Sequence, residues 1–461
     1  MCLLKLPLCI KAYRGVILLC SIKLENIKCE SSSLMVQHYT TAPRMFLLHI
    51  WFWTIIVAVS DEAQSNGDSA TVYPVVYEDR EDKQRKVVVF DNEDSLELEK
   101  ASVLAPKVLL RDYNEDSVKD RYVNGAHYER HLYGNAEHKA SLVLKPQGRG
   151  RYLIAGLLNS THQIEPMRNE MYASRRIPHV ISRIPNMKGE VLHKMIKAEI
   201  HKNAKVTHPD ERAQSGPLVV EVYLISDYTH TRRLRKQSLN ALEYMETYMY
   251  KVSMILQQLN PAVRIALVGY QSTLKRRADY IKFTSAGDLD ADGTVTSLRK
   301  YAGKTSEVQH SDLVMLFTAS RMVDVKAHVG SPEVLGLAPL EGICSEYSVA
   351  VIKDLAGRYT GVHSTAHEMG HSFGSYHDGD GTSIDCPAAD GYLMSPASNG
   401  KHSEEFSACS RRVISKYIRS QNAACLLYAA STTVIGVFPR PLQPSPRGNP
   451  PGHKVEKASR N

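Results

Sequence analysis

The sequence predicts an α/β fold, in which a mixed and mostly parallel sheet is backed by long helices. Three short apolar runs are typical of buried strands, LVVEVYLISD at 218–227, VRIALVGY at 263–270 and DLVMLFT at 312–318. The segment from Gln237 to Leu259 carries apolar residues at helical spacing before Pro261 ends it. A second long helix is expected around His367.

The segment HEMGHSFGSYHD begins at His367 and fits the pattern HExxHxxGxxH. Because residues four apart lie on one face of a helix, His367 and His371 can bind one metal ion. Gly374 allows the helix to end in a left-handed turn that brings His377 to the same ion. Three histidine ligands leave a coordination position for water, which indicates a catalytic zinc site.

The residue types in this motif predict hydrolysis by a zinc-activated water. Glu368 flanks the metal and can act as general base, taking a proton from the water and returning it to the leaving group. The alternative, a surface helix that carries two histidines by chance, is disfavoured because the glycine and the third histidine are in register. His363 is not predicted to be a ligand, because it precedes His367 by four residues and would compete for the same face. It is interpreted as a helix-start or surface residue.

The motif and the Asp378 that follows it resemble the adamalysin (reprolysin) family of metzincin zinc metalloendopeptidases. The resemblance implies a metzincin catalytic domain with a Met-turn at GYLMSP, where Met394 would lie beneath the zinc. GLA at 336–338 resembles the substrate-binding edge strand, and SVAVIKD at 348–354 resembles the strand before the zinc helix. An exposed strand edge binds an extended peptide by backbone hydrogen bonds.

The eight cysteines fall into two groups, Cys2, Cys9, Cys20 and Cys29 near the N-terminus and Cys344, Cys386, Cys409 and Cys425 around the motif. Four cysteines permit three pairings, and spacing does not choose among them. The family resemblance implies Cys344 with Cys425 and Cys386 with Cys409. Disulfides indicate an oxidising compartment.

A secretory signal is predicted with its apolar core at 45–60, which is too short to span a membrane. Translation is then expected to start at Met35 or Met45; the other reading takes residues 2–20 as the signal. The predicted division is an N-terminal extension with the signal at 1–60, a propeptide at 61–212, a catalytic domain at 213–430 and a disordered, proline-rich basic tail at 431–461.

The segment 61–212 alternates short apolar strands with charged turns and is similar to the family's propeptide. It would keep a protease latent until it is cleaved, at Arg175-Arg176 or Arg212. It contains no cysteine, so it cannot ligate zinc as many family propeptides do, and steric blocking of the cleft remains. The sequon at Asn159 predicts glycosylation.

The run Asp288–Gly293 matches the first half of an EF-hand loop, but its twelfth position is Arg299, so calcium is not expected there. The run is interpreted as a polar turn before a helix at 296–301.

The family resemblance also points to Glu221 and Asp312 as two ligands of a structural calcium site. Tyr428 occupies the place where the family has an asparagine, so structural calcium is not supported. One catalytic zinc ion is the expected cofactor.

The composition is mildly basic, with 57 Lys and Arg against 49 Asp and Glu and a net charge of +8. The basic residues form only short clusters, such as RRLRK at 232–236. This cluster is interpreted as solvated surface or as a contact with anionic glycans or membranes, and no nucleic-acid partner is predicted.

These features together predict a secreted, monomeric zinc endopeptidase of extracellular proteins with no stable membrane insertion. Its general similarity to salivary metalloproteases of blood-feeding arthropods suggests fibrinogen or matrix proteins as substrates. Two alternatives stay open: a secreted binding protein on the same fold, and a truncated product that never matures.

Overall fold

The computed structural model describes residues 12–13, 16–17, 69–79, 81–91, 94–167, 176–185, 192–197, 218–325, 333–397 and 400–428. The chain divides into two compact units, residues 1–64 and 65–461. In the first unit, β1 (Ala12–Tyr13) pairs antiparallel with β2 (Val16–Ile17). The predicted signal core and basic tail lie outside the described residues. None of the described helices is long and apolar enough to cross a bilayer.

The N-terminal part of the second unit contains an antiparallel sheet of nine strands. They are β3 (Ser69–Val72), β4 (Val75–Glu78), β5 (Arg85–Val89), β6 (Ser95–Lys100), β9 (Leu132–Asn135), β10 (Ala140–Pro146), β11 (Tyr152–Leu157), β12 (His162–Pro166) and β13 (His179–Arg183). The strand order is β3-β13-β12-β11-β10-β9-β6-β5-β4. Its core includes Leu142, Leu144 and Ile154, all fully buried.

A second sheet of eight strands positions the candidate site. Its strands are β7 (Leu104–Tyr113), β8 (Val118–Asn124), β14 (Leu192–Lys197), β15 (Leu218–Ser226), β16 (Val263–Thr273), β18 (Leu313–Thr318), β20 (Val334–Leu340) and β21 (Val349–Lys353). The order is β14-β20-β21-β18-β15-β16-β7-β8, and the pairs are parallel except for β20–β21 and β7–β8. The predicted mixed, mostly parallel sheet is confirmed. A separate small sheet joins β17 (Leu289–Asp290) and β19 (Met322–Val323).

The helices connect these strands or follow them. They are α1 (Gly125–Tyr128), α2 (Tyr228–Lys236), α3 (Ala241–Leu256), α4 (Ala291–Lys304), α5 (Val362–Ser372), α6 (Ala408–Tyr417) and α7 (Cys425–Tyr428). Single 3₁₀ turns occur at Glu129–His131, Gly381–Ser383, Ala388–Asp390 and Gln421–Ala423.

Two helices begin at different residues from those predicted, because capping side chains fix their starts. α3 begins at Ala241, since the Asn240 side chain accepts hydrogen bonds from the first-turn amides, and Gln237 instead ends the unpredicted helix α2. α4 begins at Ala291, before the predicted start, because Asp290 accepts from the amide of Gly293.

The eight-stranded sheet has apolar side chains on both faces, as parallel sheets covered by helices do. On one face, Val222 of β15 belongs to the same buried cluster as Met249 of α3 and Met369 of α5. On the other face, Leu316 of β18 packs in a cluster with Leu298 of α4. The sheet therefore lies between α3 and α5 on one side and α4 on the other.

The segment 61–212 contributes to both sheets, which the sequence analysis did not foresee. β7 lies beside β16 and carries β8 on its outer side, while β14 lies beside β20 at the opposite edge. Val108, Leu109 and Leu110 of β7 are consecutive and all buried, as in a strand covered on both faces. Strands from the predicted propeptide thus form both edges of the sheet.

Candidate active site

The start of α5 is fixed by a buried carboxylate, Asp354, that the sequence analysis did not single out. Its Oδ1 accepts from the Gly361 amide at 3.0 Å, at the N-terminus of the helix. Its Oδ2 accepts from the Tyr244 hydroxyl at 2.7 Å and lies 3.0 Å from Nε2 of His230. Asp354 and His230 are both fully buried. This network ties the first turn of α5 to α2 and α3.

α5 and the turn after it bring three histidine nitrogens together. The Nε2 atoms of His367 and His371 are 3.0 Å apart, and Nε2 of His377 is 3.1 Å from that of His371. Gly374 has a φ of +90°, so the chain turns back at the position where a left-handed residue is predicted. The three ligand atoms lie within 4.8 Å of one another.

Backbone carbonyls orient two of the imidazoles. Nδ1 of His367 is 2.7 Å from the Leu393 carbonyl oxygen, and Nδ1 of His371 is 2.7 Å from that of Ser375. Because a carbonyl only accepts, each Nδ1 carries the proton and each Nε2 keeps its lone pair. Burial lowers the pKa of His371 to about 3 and that of His377 to about 4. Neutral imidazoles with converging lone pairs are a metal-ligand set.

The donor set fits one zinc ion. Zinc binds imidazole nitrogens at about 2.0–2.1 Å in tetrahedral geometry, which separates two such nitrogens by about 3.3 Å. The spacings of 3.0 and 3.1 Å are close to that value. Nitrogen donors, tautomers fixed from behind and burial all suit zinc.

Glu368 lies between α5 and β20. The side chain is fully buried, and burial raises its pKa well above the usual range. The backbone of Ala338 on β20 hydrogen-bonds to it. Gly336 leaves the room for it, because a Cβ there would come within 2.3 Å of Oε1. The sequence identified Glu368 and the GLA run, but not the contact that joins them.

Met394 and Asp378 lie next to residues of the zinc motif. Met394 is fully buried against Gly370, where a Cβ would come within 2.5 Å of its Sδ. The amide of Asp378 donates to the Met394 carbonyl at 2.9 Å. Oδ1 of Asp378 accepts from the hydroxyls of Ser407 at 2.6 Å and Ser410 at 3.1 Å, which ties the third histidine to the start of α6. The assignment of Met394 to a Met-turn remains a prediction.

Two disulfides bracket this region and have the pairing that the resemblance implies. Cys344 is bonded to Cys425, with their Cα atoms 5.6 Å apart, and Cys386 to Cys409, with their Cα atoms 6.1 Å apart. The first spans 81 residues and links the segment after β20 to α7, and the second holds the start of α6.

The other predicted residues lie apart from the three nitrogens. His363 is in the first turn of α5, with its ring centroid 6.1 Å from that of His367. Asn159 is exposed, and its Oδ1 accepts from the amide and hydroxyl of Thr161; its glycosylation remains a prediction.

The two residues considered for calcium are neighbours. The amide of Glu221 donates to Oδ2 of Asp312 at 2.8 Å, and burial raises the pKa of Asp312 to about 6. The side chain of Tyr428 lies outside what the structure describes. Calcium binding is therefore untested.

The outer side of β20 is covered by another part of the same chain. β14 pairs with it in parallel, with His193 opposite Gly336, Lys194 opposite Leu337 and Met195 opposite Ala338. These β20 residues are the ones that contact Glu368 or flank that contact. A strand from the segment 61–212 thus occupies the edge that an extended substrate would use.

The fold and the site are those of the zinc metalloprotease class. They combine a mixed sheet, a helix with two histidines and a neighbouring glutamate, and a third histidine beyond a glycine turn. Residues 219–429 match the family model described as Reprolysin (M12B) family zinc metalloprotease. This match supports the reprolysin-type zinc metalloprotease that the sequence predicts.

Two scorpion proteins are similar over most of the chain. "Venom metalloproteinase BumaMPs1" from Olivierus martensii is 25% identical over 376 residues, covering 79% of this chain and 93% of the relative. "Venom metalloproteinase antarease TserMP_A" from Tityus serrulatus is 24% identical over 398 residues, covering 81% and 97%. The human "Disintegrin and metalloproteinase domain-containing protein 33" is 30% identical over 211 residues, covering 45% of this chain and 24% of the relative.

Proposed function

We propose that this chain is a secreted zinc endopeptidase, in which His367, His371 and His377 hold the metal and Glu368 is the general base. The observation that carries the proposal is the convergence of three Nε2 atoms beside a buried carboxyl group that contacts the edge strand. A closed structural zinc site would use a fourth protein ligand. Among the described residues, no fourth histidine, cysteine or carboxylate joins these three histidines in the candidate metal cluster.

When bound, zinc supplies Lewis-acid chemistry, acidifying water and polarising a carbonyl group. Glu368 takes the proton from the attacking water and delivers it to the leaving amine. Asp354 positions α5, and the carbonyls of Leu393 and Ser375 hold two imidazoles in the tautomer that leaves Nε2 unprotonated. The backbone of β20 aligns an extended substrate beside Glu368.

Extracellular proteins are the proposed substrates, with fibrinogen or matrix proteins as candidates. Two disulfides support an oxidising compartment. The names of the scorpion relatives, both venom metalloproteinases, support a protease that acts outside the cell. The proposed form is a monomer.

The test compares digestion of fibrinogen and gelatin by the processed wild type, Glu368→Gln and wild type treated with a zinc chelator. Loss of the general base is expected to slow cleavage by about 100- to 10,000-fold. Metal analysis should still find one zinc per chain in Glu368→Gln, because the histidines remain. Glu346→Gln is the matched control, since the Glu346 side chain is 74% exposed, and its activity should equal that of wild type.

The second candidate is a secreted binding protein that keeps the zinc site without hydrolysis. It gains support if processed wild type contains zinc and is as inactive as Glu368→Gln on every protein tested. Cleavage by wild type that is lost in Glu368→Gln excludes it.

Latency is proposed to come from β14 rather than from a zinc-binding cysteine. The segment 61–212 contains no cysteine, and β14 occupies the outer edge of β20. A substrate that adds to this edge must therefore displace β14. Of the two predicted cleavage sites, Arg175-Arg176 precedes β14, so cleavage there leaves β14 joined to the catalytic domain. Arg212 follows β14, so cleavage there separates β14 from that domain and allows it to leave β20.

The double variant Lys194→Pro/Met195→Pro tests this latency, because proline has no amide hydrogen for the ladder. Loss of one or two backbone hydrogen bonds should raise peptide cleavage by the uncleaved chain roughly tenfold. Lys194→Ala/Met195→Ala keeps the amides and is the control. Equal, low activity of both variants before processing would show that β14 does not block the cleft.

A further inference from the structure

A strongly basic surface lies on α2 and the loop after β16, away from the residues assigned to hydrolysis. We call it the basic surface, and it consists of Arg232, Arg233, Arg235, Lys236, Lys275, Arg276 and Arg277. Six of the seven side chains are exposed, and Lys275 is half-buried. The sequence RRLRK showed only the α2 part of this surface; the fold adds the second part.

Contacts between α2 and the β16 loop hold the two parts together. The Thr231 hydroxyl oxygen accepts from the Thr273 amide at 3.1 Å. The guanidinium of Arg276 lies 5.3 Å from the ring centroid of Tyr228, at the start of α2. Tyr228 and Arg232 are four residues apart, so they share one face of the helix. Arg276, Tyr228 and Arg232 therefore form a continuous row.

The positive charge of this surface is poorly compensated. α2 contains no acidic residue, and the Asp227 that precedes it is buried and bonded to Thr229, His230 and Thr318. Among the described residues, none of the seven cations forms an ion pair with a carboxylate. The hydrogen bond from Arg276, with the nearby charge of Arg232, lowers the pKa of Tyr228. The excess of positive charge is thus available to a ligand.

An acidic turn from the predicted propeptide lies at one end of the basic surface. This turn joins β7 to β8, and Oε1 of Glu115 accepts from the Arg276 amide at 3.0 Å. The Leu274 amide donates to the Tyr113 carbonyl at 2.8 Å, so the turn is also joined to the loop through the backbone. Asp116 is the next residue and is exposed. Two carboxylates therefore compete with any anion that approaches Arg276.

We propose that the basic surface binds a linear sulfated glycan and that the acidic turn weakens this binding in the uncleaved chain. Five of its seven cations are arginines, whose planar fork pairs with the oxygens of sulfate groups. The proposal does not depend on hydrolysis, because none of the seven cations belongs to the zinc site.

Two other polyanionic partners fit the surface less well. Anionic membranes are bound best by helices that also insert apolar side chains, but Leu234 of α2 is 1% exposed and packs in the core. Single-stranded nucleic acids need free aromatic faces for stacking, whereas the ring of Tyr228 is next to Arg276. A sulfated glycan requires neither feature.

The experiment measures binding of a defined heparin fragment to the full chain at several salt concentrations. Arg232→Gln/Arg235→Gln/Arg276→Gln should bind about 100-fold more weakly, at about fivefold for each of the three cations removed. The dependence of log K on log salt should also become shallower, by about one for each cation that contacts the polyanion. The control Arg411→Gln/Arg412→Gln/Lys416→Gln removes three exposed cations of α6 and should stay within about threefold of wild type.

The acidic turn is tested with Glu115→Gln/Asp116→Asn, which should tighten heparin binding about threefold to tenfold in the uncleaved chain. Unchanged melting temperatures show that each variant is folded. Equal losses of heparin affinity in the triple variant of the basic surface and in the α6 control would overturn the proposal, because net charge alone would then explain binding. Tight binding of phosphatidylserine vesicles or of oligo-deoxythymidine, without binding of heparin, would overturn it in favour of a membrane or a nucleic acid.

Discussion

The two edges of the eight-stranded sheet are both formed by strands from the first 212 residues, but in different ways. One edge is the β7–β8 pair, which we call the β7 edge, and the other is β14. β7 is ten residues long, pairs on both sides and buries Val108 and Leu109 in the core. β14 is six residues long and ends the strand order, beside β20. The β7 edge is therefore part of the buried core, whereas β14 contacts the sheet only through β20, beside the candidate active site.

This difference suggests that the predicted propeptide has two separate roles, one in stability and one in access to the cleft. At the β7 edge the segment covers the side of β16, which would otherwise present unpaired amides and carbonyls. At the β14 edge it covers the side of β20 to which the substrate is proposed to bind. Stability should respond to changes at the first edge, and activity to changes at the second.

The largest effect is expected from Leu110→Pro in β7. Leu110 lies opposite Tyr270 of β16 and Arg121 of β8, so proline removes a ladder amide from a strand that is paired on both sides, together with a buried side chain. The free energy of unfolding should fall by about 4 kcal/mol or more in urea denaturation. Leu110→Ala, which keeps the amide, should lose less; equal losses would mean that the ladder contributes little.

Acid provides a second way to weaken the nine-stranded sheet of the predicted propeptide without altering either edge. Nε2 of His179 accepts from the Ile154 amide at 2.9 Å, and burial lowers the pKa of His179 to about 4. The unfolded chain, with a histidine pKa of about 6.5, binds the proton first as the pH falls. The free energy of unfolding should therefore drop between pH 6.5 and 4, by about 3 kcal/mol.

The measurement is urea denaturation of wild type and His179→Gln across that pH range. Glutamine cannot take up the proton, so its curve should be flatter than that of wild type. Identical pH slopes for the two proteins would assign the acid sensitivity to other groups.

A middle-sized effect is expected at the charge network of the β7 edge. Arg111 is 6% exposed and contacts Asp120 of β8 at 2.6 Å and Glu307 at 3.1 Å. Arg111→Met leaves these two partly exposed carboxylates without their cation and should cost about 2 kcal/mol in urea denaturation. Arg121→Met, at an exposed position of β8, is the control and should change stability by less than about 0.5 kcal/mol.

The smallest effect on stability is expected at the β14 edge. Lys194→Pro/Met195→Pro should lower the free energy of unfolding of the full chain by about 1.4 kcal/mol, the equivalent of a tenfold weaker hold of β14 on β20, because an edge strand loses only its few hydrogen bonds to one neighbour. The same urea denaturation measures it. A loss as large as that of Leu110→Pro would remove the distinction between the two edges.

The sequence predicted the parts of this protein that depend on neighbouring residues. The two histidines four apart, the glycine turn and the strands of the central sheet all have local signals. The predicted start of α3 is too early, because Leu239 continues the helical spacing of apolar residues although Asn240 caps the helix.

The features that the sequence did not reveal depend on long-range contacts. Asp354 contacts Tyr244 across the core, and Arg276 contacts Glu115 because the loops that follow the paired strands β16 and β7 are adjacent. No local period marks either pair. The apolar run of β7 is only three residues long, from Val108 to Leu110, because Lys107 precedes it and Arg111 follows it, so it is a weak signal of a strand covered on both faces.

Gly336 has a consequence for how such a protease could lose its activity over generations. Every single-nucleotide replacement of a glycine codon that encodes another amino acid introduces a Cβ, and a Cβ at 336 would come within 2.3 Å of the Glu368 carboxylate. The three atoms nearest to such a Cβ all belong to Glu368, and none belongs to a histidine. Under the proposed function, one base change would therefore be enough to abolish hydrolysis while the three histidines could still hold the metal ion.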